Sequence, residues 1–171
     1  MSARLAFRNV VGGAVVAMAV VLAIAACGST ASSGAAASGS SAVTVRTVLA
    51  SGAPSQAPGY EMDLARYTIP PHTKLAPHHH PGMQLAYIES GTLTYTVVQG
   101  TVTVHAAGGS TRQISAGQTG TIATGEWLTE TPDIVHFGEN ATDQPIAILA
   151  SSLFVQGQPP AIPVSPAPTS S

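Results

Sequence analysis

Residues 92–106 read TLTYTVVQGTVTVHA. In an extended chain successive side chains point to opposite faces, so a period of two marks a strand with one buried side. Leu93, Tyr95 and Val97 fall on one such side, with threonines between them, and Val102 and Val104 resume the alternation after Gln99-Gly100. A helix would scatter these residues around its axis, because its period is about 3.6. The β-branched threonines and valines favour a pleated surface as well. The segment is therefore two strands, and the Gln99-Gly100 step between them predicts a β-hairpin.

The same grammar holds from Val43 to Phe154, where helical periodicity is absent. Short apolar runs are separated by Gly, Pro, Asn and Asp. Strands are expected in AVTVRTVLA, MDLARYTI, QLAYIES, STRQIS, TGTIAT, EWLTE, IVHFGEN and PIAILASSLF. Many short strands with glycine turns predict an all-β domain: a sandwich, a barrel or a jelly roll.

The two ends differ from this middle. Arg4 and Arg8 precede an uncharged stretch from Asn9 to Ala26, the layout of a secretory signal peptide. That stretch is also long enough to span a bilayer as an uncleaved anchor. It is rich in Ala and Gly and ends in Ile24-Ala25-Ala26-Cys27-Gly28, which resembles the lipobox of bacterial lipoproteins. The resemblance implies cleavage before Cys27 and lipid attachment to it, placing the protein at the extracytoplasmic face of the membrane; a secreted chain is the alternative. Cys27 is the only cysteine, so the domain has no internal disulfide. Residues 27–42 are Gly/Ser/Ala-rich and read as a flexible tether. Residues 43–155 form the expected domain. Residues 156–171 are a Pro-rich tail that starts as an extended arm. The formal net charge is −2 and no basic patch stands out, which argues against a nucleic-acid partner.

The chain has six histidines, three of them consecutive at 78–80. On a strand, His78 and His80 share a face and His79 takes the other. Gln84, Ala86 and Ile88 continue the His80 face if Pro81-Gly82 leaves the parity intact, and Leu85, Tyr87 and Glu89 look away. In TPDIVHFGEN, Ile134, His136, Gly138 and Asn140 share a face. Pairing of these two segments in one barrel brings three imidazoles together, and two or more imidazoles on one face can hold a single ion.

These residues resemble the two motifs of the cupin superfamily. The first runs glycine, five residues, HXH, three or four residues, glutamate, six residues, glycine; here His72, His78, His80, Gln84 and Gly91 keep that spacing. The second runs glycine, five residues, PXG, two residues, histidine, three residues, asparagine; here Gly125, Thr131-Pro132-Asp133, His136 and Asn140 keep it. The resemblance implies a single double-stranded β-helix, the jelly-roll or cupin barrel, and a divalent-metal site at His78, His80, Gln84 and His136. Iron, manganese and zinc are the ions it suggests. His72 stands where a turn glycine is usual, and Gln84 stands where the ligand glutamate is usual. Thr131 and Asp133 replace the proline and glycine of the second turn, where Asp133 would tolerate a left-handed backbone. Four neutral ligands would leave the ion its full +2 charge, which favours an anionic ligand in the open position.

Ala86, Ile88, Ile134 and Asn140 are expected to line the pocket, with Met83 just outside it. His79 is expected to face solvent or back up the ligands, His105 to be exposed, and His72 to lie in a loop. Trp127, Tyr87, Tyr95 and Phe137 are read as packing residues. Three functions follow: a metal-dependent oxygenase, isomerase or lyase acting on a small molecule; a non-catalytic module binding a small ligand or metal; and a structural protein with a vestigial site, suggested by Gln84. Partners are a small molecule and, through the lipid, a membrane; cupins often dimerise, so the resemblance leaves a homodimer possible, and the sequence does not set the oligomeric state.

Overall fold

The computed structural model describes residues 43–164. The signal-like segment, Cys27, the tether and residues 165–171 lie outside the described residues. The described chain forms thirteen strands: β1 (Val45–Gly52), β2 (Tyr60–Ile69), β3 (Thr73–Lys74), β4 (His78–His79), β5 (Gly82–Ser90), β6 (Thr92–Gln99), β7 (Thr101–His105), β8 (Thr111–Ser115), β9 (Thr119–Ala123), β10 (Trp127–Glu130), β11 (Val135–Asn140), β12 (Ile146–Val155) and β13 (Ile162–Pro163). Among the described residues there is no helix. One sheet has the order β1-β2-β12-β5-β10-β7-β8; the other runs β13-β4-β11-β6-β9, with β3 also on β11. The fold is an all-β jelly roll.

Alternation decides what lies between the sheets. From the first sheet Ile88, Val102, Val104, Ile114, Leu128, Ile146 and Ile148 point inward; from the second, Leu93, Tyr95, Val97 and Ile122 meet them. Val97 and Val104 are fully buried, and each such side chain contributes about 1.5–3 kcal/mol by leaving water.

The expected hairpin at Gln99-Gly100 does not form. Strand β6 pairs with β11 and β9, and β7 pairs with β10 and β8. At Gly100 the chain leaves one sheet and enters the other. Its φ of +87° is open to glycine at no steric cost, and its carbonyl accepts a hydrogen bond from Ala116 N at 2.9 Å. Inward parity shifts by one across the step, from Leu93, Tyr95 and Val97 to Val102 and Val104. The chain makes the same crossing at Pro81, between β4 and β5. There Gly82 lies so close to β12 that a Cβ would sit 2.1 Å from the Leu153 carbonyl oxygen. The sheet change keeps His80 and Gln84 both inward and buried.

The two substituted turns differ in how they close. His72 has φ +52°, the one non-glycine residue with positive φ among the described residues; histidine visits this region more readily than most side chains. Its Nε2 lies 2.8 Å from Asp143 Oδ1. Asp133 does not adopt the left-handed backbone anticipated for it. Ile134 N donates to Thr131 O instead, and Thr131 Oγ1 donates to Asp133 Oδ1.

Asn140, fully buried, ties β11 to its surroundings. Its Nδ2 donates to the carbonyls of Ile69, Pro70 and Gln144 at 2.8–3.0 Å, and its Oδ1 accepts from Thr142 N and Oγ1. It is thus a structural clasp and does not line the pocket. Asn140→Ala strands these groups without partners, and the expected loss is about 3 kcal/mol of unfolding free energy, measured by urea denaturation.

Candidate metal centre

Strand pairing places the histidines. His78 on β4 is the register partner of His136 on β11, and His80 follows β4 at the sheet crossing. One ring nitrogen from each of the three lies within 4.8 Å of the other two. The ring centroids stand 4.5 Å apart for His78 and His136, 5.1 Å for His78 and His80, and 5.2 Å for His80 and His136. His80 and His136 are buried, and His78 is half-buried.

Hydrogen bonds set which nitrogen faces inward. His78 Nδ1 lies 2.9 Å from Ala76 O, and His80 Nδ1 lies 2.6 Å from Pro160 O. A carbonyl accepts only, so each Nδ1 carries the proton and each Nε2 is the nitrogen free to ligate. The Pro160 carbonyl comes from the arm after β12, whose strand β13 pairs with His78 and His79. The arm thus holds His80 from outside the strand that carries it. Phe154 stacks on the His80 ring at 5.4 Å and Tyr95 on the His136 ring at 5.0 Å. Burial lowers the pKa of His78, and pushes that of His136 down to about 4, so both rings are neutral at pH 7. Burial also acts to lower His80, but the hydrogen bond and charge of Glu130 outweigh it and raise its pKa.

Glu130 was absent from the sequence-derived site, yet its carboxylate contacts two of the three histidines. Its Oε1 lies 3.0 Å from His136 Nε2 and its Oε2 lies 3.1 Å from His80 Nε2. Tyr95 Oη donates to Oε1 and Gln84 Nε2 donates to Oε2, both at 2.8 Å. Burial acts to raise the carboxyl pKa, but His136 and His80 hold it well below the usual carboxylate range. Burial and the neighbouring carboxylate raise the Tyr95 phenol far above its ordinary value, so it remains a donor. The signal was present in EWLTE. If Leu128 is an inward residue of that strand, so is Glu130, and a carboxylate on the apolar face of a strand is rare without a charged partner.

Gln84 belongs to the site in a different capacity from the one expected. It presents its amide nitrogen to Glu130 and to His80 Nε2, at 2.8 and 3.1 Å. Its Oε1 is buried and without a hydrogen-bond partner, as is His136 Nδ1. With a carboxylate opposite, the amide must offer N–H rather than its carbonyl. The carboxylate of Glu130 adds a negative charge beside the four neutral side chains expected there.

Beside the cluster lies a cavity of about 290 Å³. His78, His80, Gln84, Glu130 and His136 form its polar end, and Leu75, Ile88, Leu93, Ile122, Leu128 and Ile148 form much of the remainder. Ala86 and Ile88 line it as expected. Ile134 does not: it precedes the register shift between Val135 and His136, and packs at the β6–β7 crossing near Gly100. Among the described residues no lysine or arginine lines the cavity. Glu89 faces away and is held by Arg66 at 2.6 Å. His79 is half-buried and stands outside the cavity wall. His105 is not exposed but half-buried, stacked on Trp127 at 3.8 Å.

The donor set fits a divalent transition metal. Two neutral imidazoles and a third tied to a carbonyl, with a carboxylate against two of them, suit zinc, iron, copper or nickel, and a buried carboxylate calls for a cation.

No family model matches the sequence, and no curated protein matches it. Among solved structures the chain is similar to a cupin 2 domain-containing protein from Halorhodospira halophila, at 12% identity and a TM-score of 0.48, covering 73% of this chain and 71% of that one. It is similar to a cupin 2 conserved barrel domain protein from Leptotrichia buccalis, at 19% identity and a TM-score of 0.44, over 66% of this chain and 42% of the other's length. A cupin domain from Bordetella pertussis aligns at 13% identity and a TM-score of 0.40, over 64% of this chain and 92% of that one. These three structures are cupin-domain proteins.

Proposed function

We propose that this protein is a membrane-tethered, extracytoplasmic metal-binding cupin that takes one small, largely apolar molecule into its cavity and acts on it. The observation that carries the reading is the convergence of three ring nitrogens within 4.8 Å, two of the rings oriented by backbone carbonyls, at the polar end of an otherwise apolar cavity. A bound divalent ion supplies Lewis-acid polarisation of a carbonyl or enolate oxygen.

The chain's own residues do the rest. His78, His80 and His136 hold the ion. The apolar wall excludes water and selects a compact substrate with one oxygen donor, because an anion with several charges finds no lysine or arginine there. Glu130 and Tyr95 place an ionised carboxylate and a phenolic O–H at the same end, with the proton held at Tyr95 Oη and donated to Glu130 Oε1. Metal binding raises stability by about 2.7 kcal/mol at a free concentration of one hundred times Kd, a rise of roughly 10 °C in Tm for a domain of this size. Chelator-treated protein is expected to show that rise on titration with zinc, manganese or ferrous iron, and His136→Ala to abolish it. Unchanged Tm with every ion would leave the structural reading in its place.

Membrane attachment rests on the lipobox-like Ile24-Ala25-Ala26-Cys27-Gly28. Two acyl chains suffice for stable anchoring where one is marginal. Cys27→Ala is expected to move the protein from the membrane pellet to the soluble fraction or to leave it unprocessed.

A second copy of the chain is the proposed macromolecular partner. On the outer face of the larger sheet, Met62, Leu153 and Met83 are register neighbours across β2, β12 and β5, and Leu64, Ser151 and Leu85 form the next row. Met62, Leu64, Met83, Leu85 and Tyr87 are all exposed. A contiguous exposed apolar patch marks an interaction surface more often than isolated residues do. Sedimentation is expected to give a dimer, and Met83→Glu/Leu85→Glu a monomer of unchanged fold.

A further inference from the structure

We propose that Glu130 is itself a metal ligand: the carboxylate is supplied from β10 rather than from position 84 on β5, with Gln84 and Tyr95 as its positioning residues. The inference rests on the metal-binding reading above and deepens it. Glu130 and Gln84 are direct register partners, because β10 pairs antiparallel with β5 and places Glu130 opposite Gln84. Both residues are inward and buried. Exchanging an acid and an amide across one rung of a sheet keeps the carboxylate at the same end of the cavity while changing the strand that carries it.

The distances suit ligation. Two donors about 2.1 Å from one ion are about 3.0 Å apart at a right angle and about 3.4 Å apart at a tetrahedral angle. The Glu130 oxygens stand 3.0 and 3.1 Å from the Nε2 atoms of His136 and His80. His80 Nδ1 is committed to the Pro160 carbonyl, so in the neutral ring the lone pair on Nε2 faces both a Glu130 oxygen and the Gln84 amide nitrogen, each at 3.1 Å. Two lone pairs at that separation repel unless a positive centre lies between them. A proton can fill that role without metal, and a divalent ion fills it for both imidazoles at once.

The remaining contacts fix the carboxylate without neutralising it. Tyr95 gives Oε1 one neutral hydrogen bond, and Gln84 gives one to Oε2. Among the described residues no lysine or arginine approaches it; the titratable nitrogens against it are those of His80 and His136. The amide at position 84 is thus no sign of a vestigial site. Glutamate there would face Glu130 across the rung, and two carboxylates in contact would repel. With three imidazoles and one carboxylate, the bound ion's site carries a net charge of about +1 rather than +2.

The test uses the purified full chain, without an affinity tag, and cobalt and zinc ions as probes. Visible absorption of bound cobalt reports coordination, and infrared difference spectra report the carboxylate stretch. Wild-type protein is expected to bind cobalt and to shift a carboxylate band on zinc addition. Glu130→Gln is expected to lose that band and to bind cobalt more than 100-fold more weakly, beyond the range of about 10- to 100-fold for a residue that only supports a ligand. The exchange Gln84→Glu/Glu130→Gln is expected to recover affinity to within about 10-fold of wild type and to restore the band. A smaller loss in Glu130→Gln, or an unshifted carboxylate band in the wild type, overturns the assignment while the three-histidine centre stands. If Glu130→Gln does not fold, the wild-type infrared band alone decides. Failure of the wild type to bind either ion overturns the metal reading itself and this inference with it.

Discussion

A carboxylate withdrawn from water needs a positive centre, and at Glu130 two imidazoles, a phenol and an amide converge on it. Ionised Glu130 among apolar walls would cost several kcal/mol without such partners. His80 and His136 meet its two oxygens at 3.1 and 3.0 Å, while Gln84 and Tyr95 complete its hydrogen bonding. The four partners come from four segments: His80 at the β4–β5 crossing, Gln84 from β5, Tyr95 from β6 and His136 from β11. Both sheets are thus joined through one acidic side chain, and the polar end of the cavity exists because of it.

Geometry makes that convergence available. Where the chain crosses between sheets at Pro81 it keeps its inward parity, since both sheets turn their inner faces to one interior. His80 and Gln84 lie four residues apart, on either side of such a crossing, yet reach the same Glu130. The close passage of Gly82 against the Leu153 carbonyl makes this crossing tight. Beyond it, the arm carrying Pro160 folds back and orients His80 through a backbone carbonyl, so a segment with no chemistry of its own settles which nitrogen of that ring faces inward.

Much of the fold was legible in the sequence. Alternation in QLAYIES and TLTYTVVQG correctly assigns Gln84, Ile88, Leu93, Tyr95 and Val97 to the inside, because facing is a local property of extended backbone. The hairpin at Gln99-Gly100 was misread because alternation carries no information about the pairing partner. Asn140 was misplaced because an inward polar side chain can serve a ligand or the backbone, and nearby carbonyls decided for the backbone. Glu130 was missed although its parity in EWLTE was readable, because the motif resemblance points to position 84 for the carboxylate.

What the sequence determined by itself is therefore the set of side chains turned inward, and with it a polar cluster of histidines on apolar strands. Period-two alternation needs only the local backbone. Tertiary structure alone decided which of those side chains meet. It paired His78 with His136, set Glu130 opposite Gln84, and brought Pro160 onto His80. Such contacts join residues from 46 to 80 positions apart, and their partners are selected by sheet register and by the interior that two sheets share.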